Sequence, residues 1–261
     1  MNIAFATSLF AENGFDEVST INFAEKKGIS AVQLYMNANL QANKGKIEKI
    51  RKLCSEKSMK VLCHSPFTLG KVSENFAHCT ALSEIFPFGA EKYCIFHFDE
   101  NCETEDMIYD CERLITFGIT PCIENFYIDK TRHGLIANIE KFMTFFAEIY
   151  MRNLNVLPVL DFPRLFCEQF TNFHPTFLSE LLIQKFARKK IIIHIIDSVS
   201  PRQNREDWCA VGRGIIGWID IFHFLKKQGV FAEFAVLEYE NTFPVDESIE
   251  QLKKYSVSYP K

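Results

Sequence analysis

The sequence lacks any apolar run near the ~20 residues that span a bilayer. Its start, MNIAFATSLFAENGF, has neither a charged leader region nor a long apolar segment. Both absences argue against a membrane protein and against a secretory signal, so the expected location is cytoplasmic. There is no C-x-x-C pair, although nine cysteines occur in 261 residues. Several, including Cys63, Cys94 and Cys122, sit inside apolar runs. That pattern suits reduced, buried thiols rather than a cysteine zinc site. Charge of one sign is also missing. With 29 basic and 33 acidic residues, net −4, the chain has no strong basic footprint, which weighs against nucleic acid as a partner. No low-complexity linker divides the chain, so residues 1–261 are expected to form a single domain.

What is present is alternation. Strand-like and helix-like stretches follow one another from end to end. Expected strands cover Asn2–Thr7, Ala31–Tyr35, Lys60–His64, Tyr93–Phe98, Thr120–Glu124, Val156–Asp161, Lys190–Asp197 and Glu233–Glu238. Expected helices cover Val18–Lys27, Gly45–Lys57, Asn75–Phe86, Glu103–Thr116, Leu135–Met151, Pro175–Ala187, Trp218–Gln228 and Asp246–Tyr255. Eight such pairs in about 250 residues is the count of a single α/β (β/α)8 TIM barrel. A doubly wound sheet would usually carry a glycine-rich phosphate loop after its first strand. The segment SLFAENGF there has none. Phenylalanine is heavily used, at 26 residues, which suits a bulky core. The aromatic-rich helix faces could equally serve a homo-oligomer interface.

Four apolar runs in the second half each end in a metal-type ligand: Glu124, Asp161, His194 and Glu238. In a parallel barrel all strand C-termini open on one face, so these four should converge. Two glutamates, an aspartate and a histidine would suit one divalent metal ion, Mn, Mg, Co or Zn. Three carboxylates crowded together repel one another, and a cation removes that conflict. His64 and His97 end two earlier apolar runs and would fall on the same mouth, contacting substrate or a second metal. Asp197 lies three residues past His194, a spacing that turns it away from the His194 face. It is expected at the rim, near substrate or orienting a loop. Val211-Gly212-Arg213-Gly214 precedes a helix and could hold an anion on its backbone N–H groups, with Arg213 adding charge. Any one of these residues alone is as readily a solvated strand end, a core histidine or a plain turn. His78, His133, His174 and His223 are read as structural.

The pieces C-H-S-P-F (63–67), I-E-N-F (123–126), V-L-D-F (159–162), I-H-I-I-D-S (193–198), V-G-R-G-I-I-G-W-I-D (211–220) and L-E-Y-E (237–240) occur in one order along nearly the whole chain. In this they resemble the xylose-isomerase-like barrel superfamily. That group contains sugar-phosphate isomerases and epimerases, and also the endonuclease IV class of apurinic-site nucleases. The resemblance to the sugar branch implies a metal held by Glu124, Asp161, His194 and Glu238, with Glu124 and Glu238 moving protons at carbon through an enediolate. The substrate would be a small sugar, sugar phosphate or polyol. The resemblance to the nuclease branch implies a three-metal cluster. The chain departs from both patterns. Arg164 stands where each commonly has a histidine, Asp207-Trp208-Cys209 supplies no further imidazole, and Arg213 replaces a glutamate between glycines. Gln33 stands where the sugar branch commonly has a glutamate. Loss of two imidazoles argues against the full cluster. Arg164 would suit a phosphate or carboxylate on the substrate. An isomerase or epimerase is therefore the first expectation. The alternatives are an AP endonuclease acting in DNA repair, or a degenerate barrel that binds a ligand without turnover.

Overall fold

The computed structural model describes residues 1–37, 40, 42–72, 81, 83–125, 134–167 and 175–257. The expected helix Asn75–Phe86 falls largely outside these residues, as do His78, His133 and His174.

Eight parallel strands close into a barrel: β1 (Asn2–Ala6), β2 (Ala31–Tyr35), β3 (Lys60–Thr68), β4 (Tyr93–His97), β5 (Thr120–Glu124), β6 (Leu157–Asp161), β7 (Lys190–Ile195) and β8 (Phe231–Leu237). Each strand pairs with its sequence neighbours, and β8 pairs with β1. The helices among the described residues are α1 (Glu17–Lys26), α2 (Lys44–Glu56), α3 (Thr104–Thr116), α4 (Leu135–Met151), α5 (Pro175–Lys185), α6 (Trp218–Lys227) and α7 (Val245–Val257). Local chemistry starts and stops them. The Asp16 carboxylate accepts the Val18 and Ser19 N–H groups at the start of α1. Gly118, at φ 70°, lets the chain leave α3 in the left-handed conformation and turn into β5. No helix among the described residues is long and apolar enough to cross a membrane.

Side-chain parity builds two cores. Inward residues of the strands, among them Ala4, Leu62, Ile95, Cys122, Val159, Ile192 and Val236, fill the barrel. Their neighbours Phe5, Cys63, Phe96, Ile123, Leu160, Ile193 and Leu237 point out and pack under the helices. On α4, Phe146 packs edge-on against Phe142 and Phe145, and Phe186, just past α5, meets Phe142 and Phe146 edge-on. The phenylalanine excess is spent largely in this outer layer. The eight described cysteines are free thiols, five of them buried.

β2 and β5 have the expected bounds, β1, β4, β6 and β8 differ from them by one or two residues at an end, and β3 and β7 differ in ways that bear on the mouth. β3 runs on to Thr68, because the ladder shifts register after His64 and re-forms with Thr68 opposite His97. β7 ends at Ile195, so Asp197 is not on it. Asp197 and Ser198 instead pair antiparallel with Cys209 and Trp208 in a short ribbon above the mouth.

Candidate functional site

The same parity that fills the barrel places the site. Starting from the buried inward layer, two more residues along each strand reach the next inward position. Those positions are Ala6, Gln33, His64, His97, Glu124, Asp161, His194 and Glu238, with Glu238 the first residue beyond β8. Seven of the eight are polar. All sit at the C-terminal mouth, and the register sets His97 beside Glu124 and Asp161 beside His194.

Glu124 is the hub and is almost fully buried. Its Oε2 lies 3.1 Å from His64 Nε2, 3.4 Å from His97 Nε2 and 3.6 Å from His194 Nδ1. Its Oε1 accepts from Arg164 Nη2 at 3.0 Å and Nε at 3.2 Å. Arg164 Nε also lies 2.6 Å from Asp161 Oδ2. His194 Nδ1 lies 3.0 Å from Glu238 Oε2. Thus six of the expected residues, Glu124, Asp161, His194, Glu238, His64 and His97, converge together with Arg164. Two ligand sets share Glu124: Glu124, Asp161 and His194 form one, and His64, His97 and Glu124 the other. The ligand atoms within each lie inside 4.8 Å of one another.

Gln33 ties the cluster together. Glu238 is a carboxylate and can only accept, so the Gln33 amide turns its N–H to Glu238 Oε1 at 2.5 Å. That leaves Gln33 Oε1 facing His194 Nε2 at 3.0 Å. Nε2 therefore carries a proton, and Nδ1 is the atom aimed at the carboxylates. Nδ1 is buried and makes no well-directed hydrogen bond, although two carboxylate oxygens stand close. A buried imidazole nitrogen, oriented from behind and facing the Glu124 and Glu238 carboxylates, has the placement a metal ligand needs once it gives up its proton. Glu124, Asp161 and His194 offer ligand atoms close enough together to hold a divalent ion, and Glu238 lies beside them, 3.0 Å from His194 Nδ1.

The charges are in conflict with their burial. Burial raises the Glu124 carboxyl, but His97, His194 and Arg164 outweigh it and hold it well below the usual range. Glu238 behaves alike, burial being overruled by His194. Burial pulls the His194 imidazole down, and Glu238 with Glu124 lift it well above the ordinary histidine value. For Asp161 burial wins. Against the pull of Arg164, and helped by Glu124, it is pushed up to about 7. His97 is lowered by burial, opposed by Glu124.

A cavity of about 290 Å³ opens at this mouth, lined by Asp161, Arg164, His194, Glu238, Trp208 and Gln203 among others. Its size suits a small molecule.

Two expected substrate contacts lie elsewhere. Asp197 is fully buried, and its carboxylate accepts four backbone N–H groups, from Ser198 (2.9 Å), Gly212 (2.8 Å), Gly214 (3.2 Å) and Ile216 (3.3 Å). It has no face left for a substrate and instead knots the 211–216 loop. A Cβ at Gly214 would collide with Asp197 Oδ1 and the Ser198 carbonyl, so only glycine admits this approach. Arg213 points to the last helix, where its Nε meets Glu247 at 2.6 Å on the exposed surface, so it adds no charge to the mouth. The Gly212 and Gly214 N–H groups that an anion would use are consumed by Asp197. His223 is exposed on α6, away from the cluster. Gln33 is the residue that strand-end reading missed as a contact. Counting parity from Ala31 would have found it.

The chain has the xylose-isomerase-like (β/α)8 barrel fold. It is similar to a D-tagatose 3-epimerase-like protein over 98% of this chain and 97% of that one, at TM-score 0.69 and 15% identity. It is similar to the IolI protein, solved with a bound zinc atom, over 98% and 97% at TM-score 0.60 and 15% identity. It is also similar to a D-psicose 3-epimerase from Clostridium cellulolyticum H10, solved with D-tagatose, over 100% and 93% at TM-score 0.61 and 12% identity. No family model and no curated protein matches the sequence.

Proposed function

We propose that the chain is a divalent-metal-dependent isomerase or epimerase of a small sugar, sugar phosphate or polyol. The observation that carries this is the cluster Glu124–Asp161–His194, whose ligand atoms lie within 4.8 Å of one another, with Glu238 3.0 Å from His194 Nδ1 and the His194 ring fixed by Gln33. An ion bound there would polarise a substrate carbonyl and stabilise an enediolate. The chain's own residues do the rest. Glu238 lines the cavity and is held ionised at neutral pH by His194, so it can take a proton from carbon. Glu124, held ionised, would first have to take up a proton from solvent and would then return it to carbon. Gln33 keeps Glu238 turned toward the cavity. Sugar-epimerase neighbours at the level of fold support the reading. The test is metal analysis of protein purified without chelator, followed by solvent-deuterium incorporation into a panel of sugars and sugar phosphates. One equivalent of metal and metal-dependent exchange at carbon are expected. Exchange with no sugar, at full metal loading, would count against it.

One observation favours a second reading. His64, His97 and Glu124 form an additional ligand set sharing the hub carboxylate. Two ions a few ångströms apart suit displacement at phosphorus, as in cleavage of DNA at an abasic site. Two equivalents of metal and nicking of an abasic duplex would shift the assignment to a nuclease.

A further inference from the structure

The guanidinium of Arg164 lies inside the ligand set. Its Nε is 2.6 Å from Asp161 Oδ2, and its Nε and Nη2 are 3.2 and 3.0 Å from Glu124 Oε1. These are the two carboxylates that a metal in this ring would have to bind. Arg164 reaches them from the short turn Pro163–Phe166 directly after β6. It keeps about a third of its side chain exposed, and it lines the cavity with Asp161, His194 and Glu238. Its charge is permanent. A divalent ion bound to Glu124 and Asp161 would share both carboxylates with the guanidinium, and like charges a few ångströms apart repel, so the two cations compete.

We propose that Arg164 is a resident counter-ion of the metal seat, that a divalent ion displaces it, and that the displaced guanidinium turns into the cavity to hold an anionic group of the substrate. This rests on the metal-dependent reading above and adds the substrate class: a phosphorylated or carboxylated small molecule rather than a neutral sugar. In the metal-free protein Arg164 neutralises Glu124 and Asp161, which would otherwise repel. In the loaded protein the ion takes over that role. Arg164 would then stand beside the bound ion, and its two-pronged fork matches carboxylate and phosphate oxygens in shape. The turn carrying Arg164 is anchored independently of its side chain. The Leu165 N–H donates to the Phe162 carbonyl, and the Pro163 carbonyl accepts from Gln203 Nε2. The guanidinium can therefore swing without unmaking the turn.

The test compares wild type with Arg164→Met and Arg164→Lys, each first checked for folding by circular dichroism. Titration calorimetry with Mn²⁺ reads the competition. Arg164→Met should bind Mn²⁺ at least tenfold more tightly than wild type, with Arg164→Lys between them. Sulfate then serves as the anion probe on Mn²⁺-loaded protein. Wild type should gain thermal stability with rising sulfate, Arg164→Met should lose that gain, and Arg164→Lys should keep part of it. Equal Mn²⁺ affinity in wild type and Arg164→Met overturns the displacement while leaving the metal-dependent reading intact. A sulfate response unchanged in Arg164→Met overturns the anion role. Should neither wild type nor Arg164→Met bind any Mn²⁺, the metal-dependent reading falls and this proposal with it.

Discussion

Two buried carboxylates at the same mouth are treated in opposite ways. Asp197 is surrounded by backbone N–H groups from Ser198, Gly212, Gly214 and Ile216, all fixed dipoles with nothing to exchange. Glu124 is surrounded by side chains that carry or release charge: His64, His97, His194 and Arg164. The Asp197 arrangement is complete and serves to hold a loop. The Glu124 arrangement depends on which protons and cations are present, and such adjustability is what proton-transfer chemistry and ion binding require. Burial alone does not separate a structural acid from a functional one; the nature of its partners does.

The comparison breaks most sharply at Glu124 itself. Glu124→Gln should cut metal-dependent exchange at sugar carbon by about 10³-fold, since a positioned base is worth about 10²–10⁴, and a rate ratio under two would remove it from the chemistry. Asp197→Ala should act on stability instead. Four N–H groups lose their acceptor, at roughly 1–3 kcal/mol for each that water does not reach. A loss of about 3 kcal/mol in denaturant unfolding is expected, with Mn²⁺ stoichiometry preserved in the folded fraction. Gln33→Ala leaves every ligand in place but frees the His194 ring. Its metal affinity should fall about 10–100-fold, as for loss of an outer hydrogen-bond partner, which calorimetry can read. The smallest effect is that of pH. Asp161 is pushed up to about 7 by burial, so a metal must displace its proton below that pH. Affinity should then fall by up to about tenfold for each unit below 7. Without metal the sign reverses. A raised carboxyl contributes stability that is present below the ordinary aspartate value and is lost as pH climbs through about 7. Melting of metal-free and Mn²⁺-loaded protein at pH 6 and pH 8 measures both, and an equal metal-induced shift at the two pH values would contradict the assignment.

The fold was legible because each strand writes its parity in the sequence. In T-P-C-I-E and K-I-I-I-H-I the inward and outward residues are both apolar, as a doubly covered sheet demands, so the polar strand end stands out. That contrast exposed Glu124, Asp161, His194 and Glu238, and also His64 and His97. Gln33 was harder to see, since an uncharged amide after Ala31 and Val32 gives no ligand signal; its role comes from contacts with residues 161 and 205 positions away. Arg164 could be placed at the mouth from its distance to Asp161, but not between two carboxylates, because that depends on a rotamer and on the burial of Glu124. Asp197 and Arg213 went elsewhere for the same reason. Their partners, Gly212, Gly214 and Glu247, are set by a loop conformation that no periodicity encodes.

The last helix, α7, has a consequence for how the mouth holds its shape. Ser248 on α7 accepts the Val211 N–H and lies 3.3 Å from the Tyr239 hydroxyl. That hydroxyl in turn accepts the Asp197 N–H and donates to the Cys209 carbonyl. One phenol thus stitches the end of the barrel, the ribbon and the closing helix into a single hydrogen-bonded patch. Protection from hydrogen exchange at Val211, Asp197 and the first turns of α7 should accordingly be lost together, as one opening unit rather than three. Opening of α7 would then loosen the ribbon above the mouth.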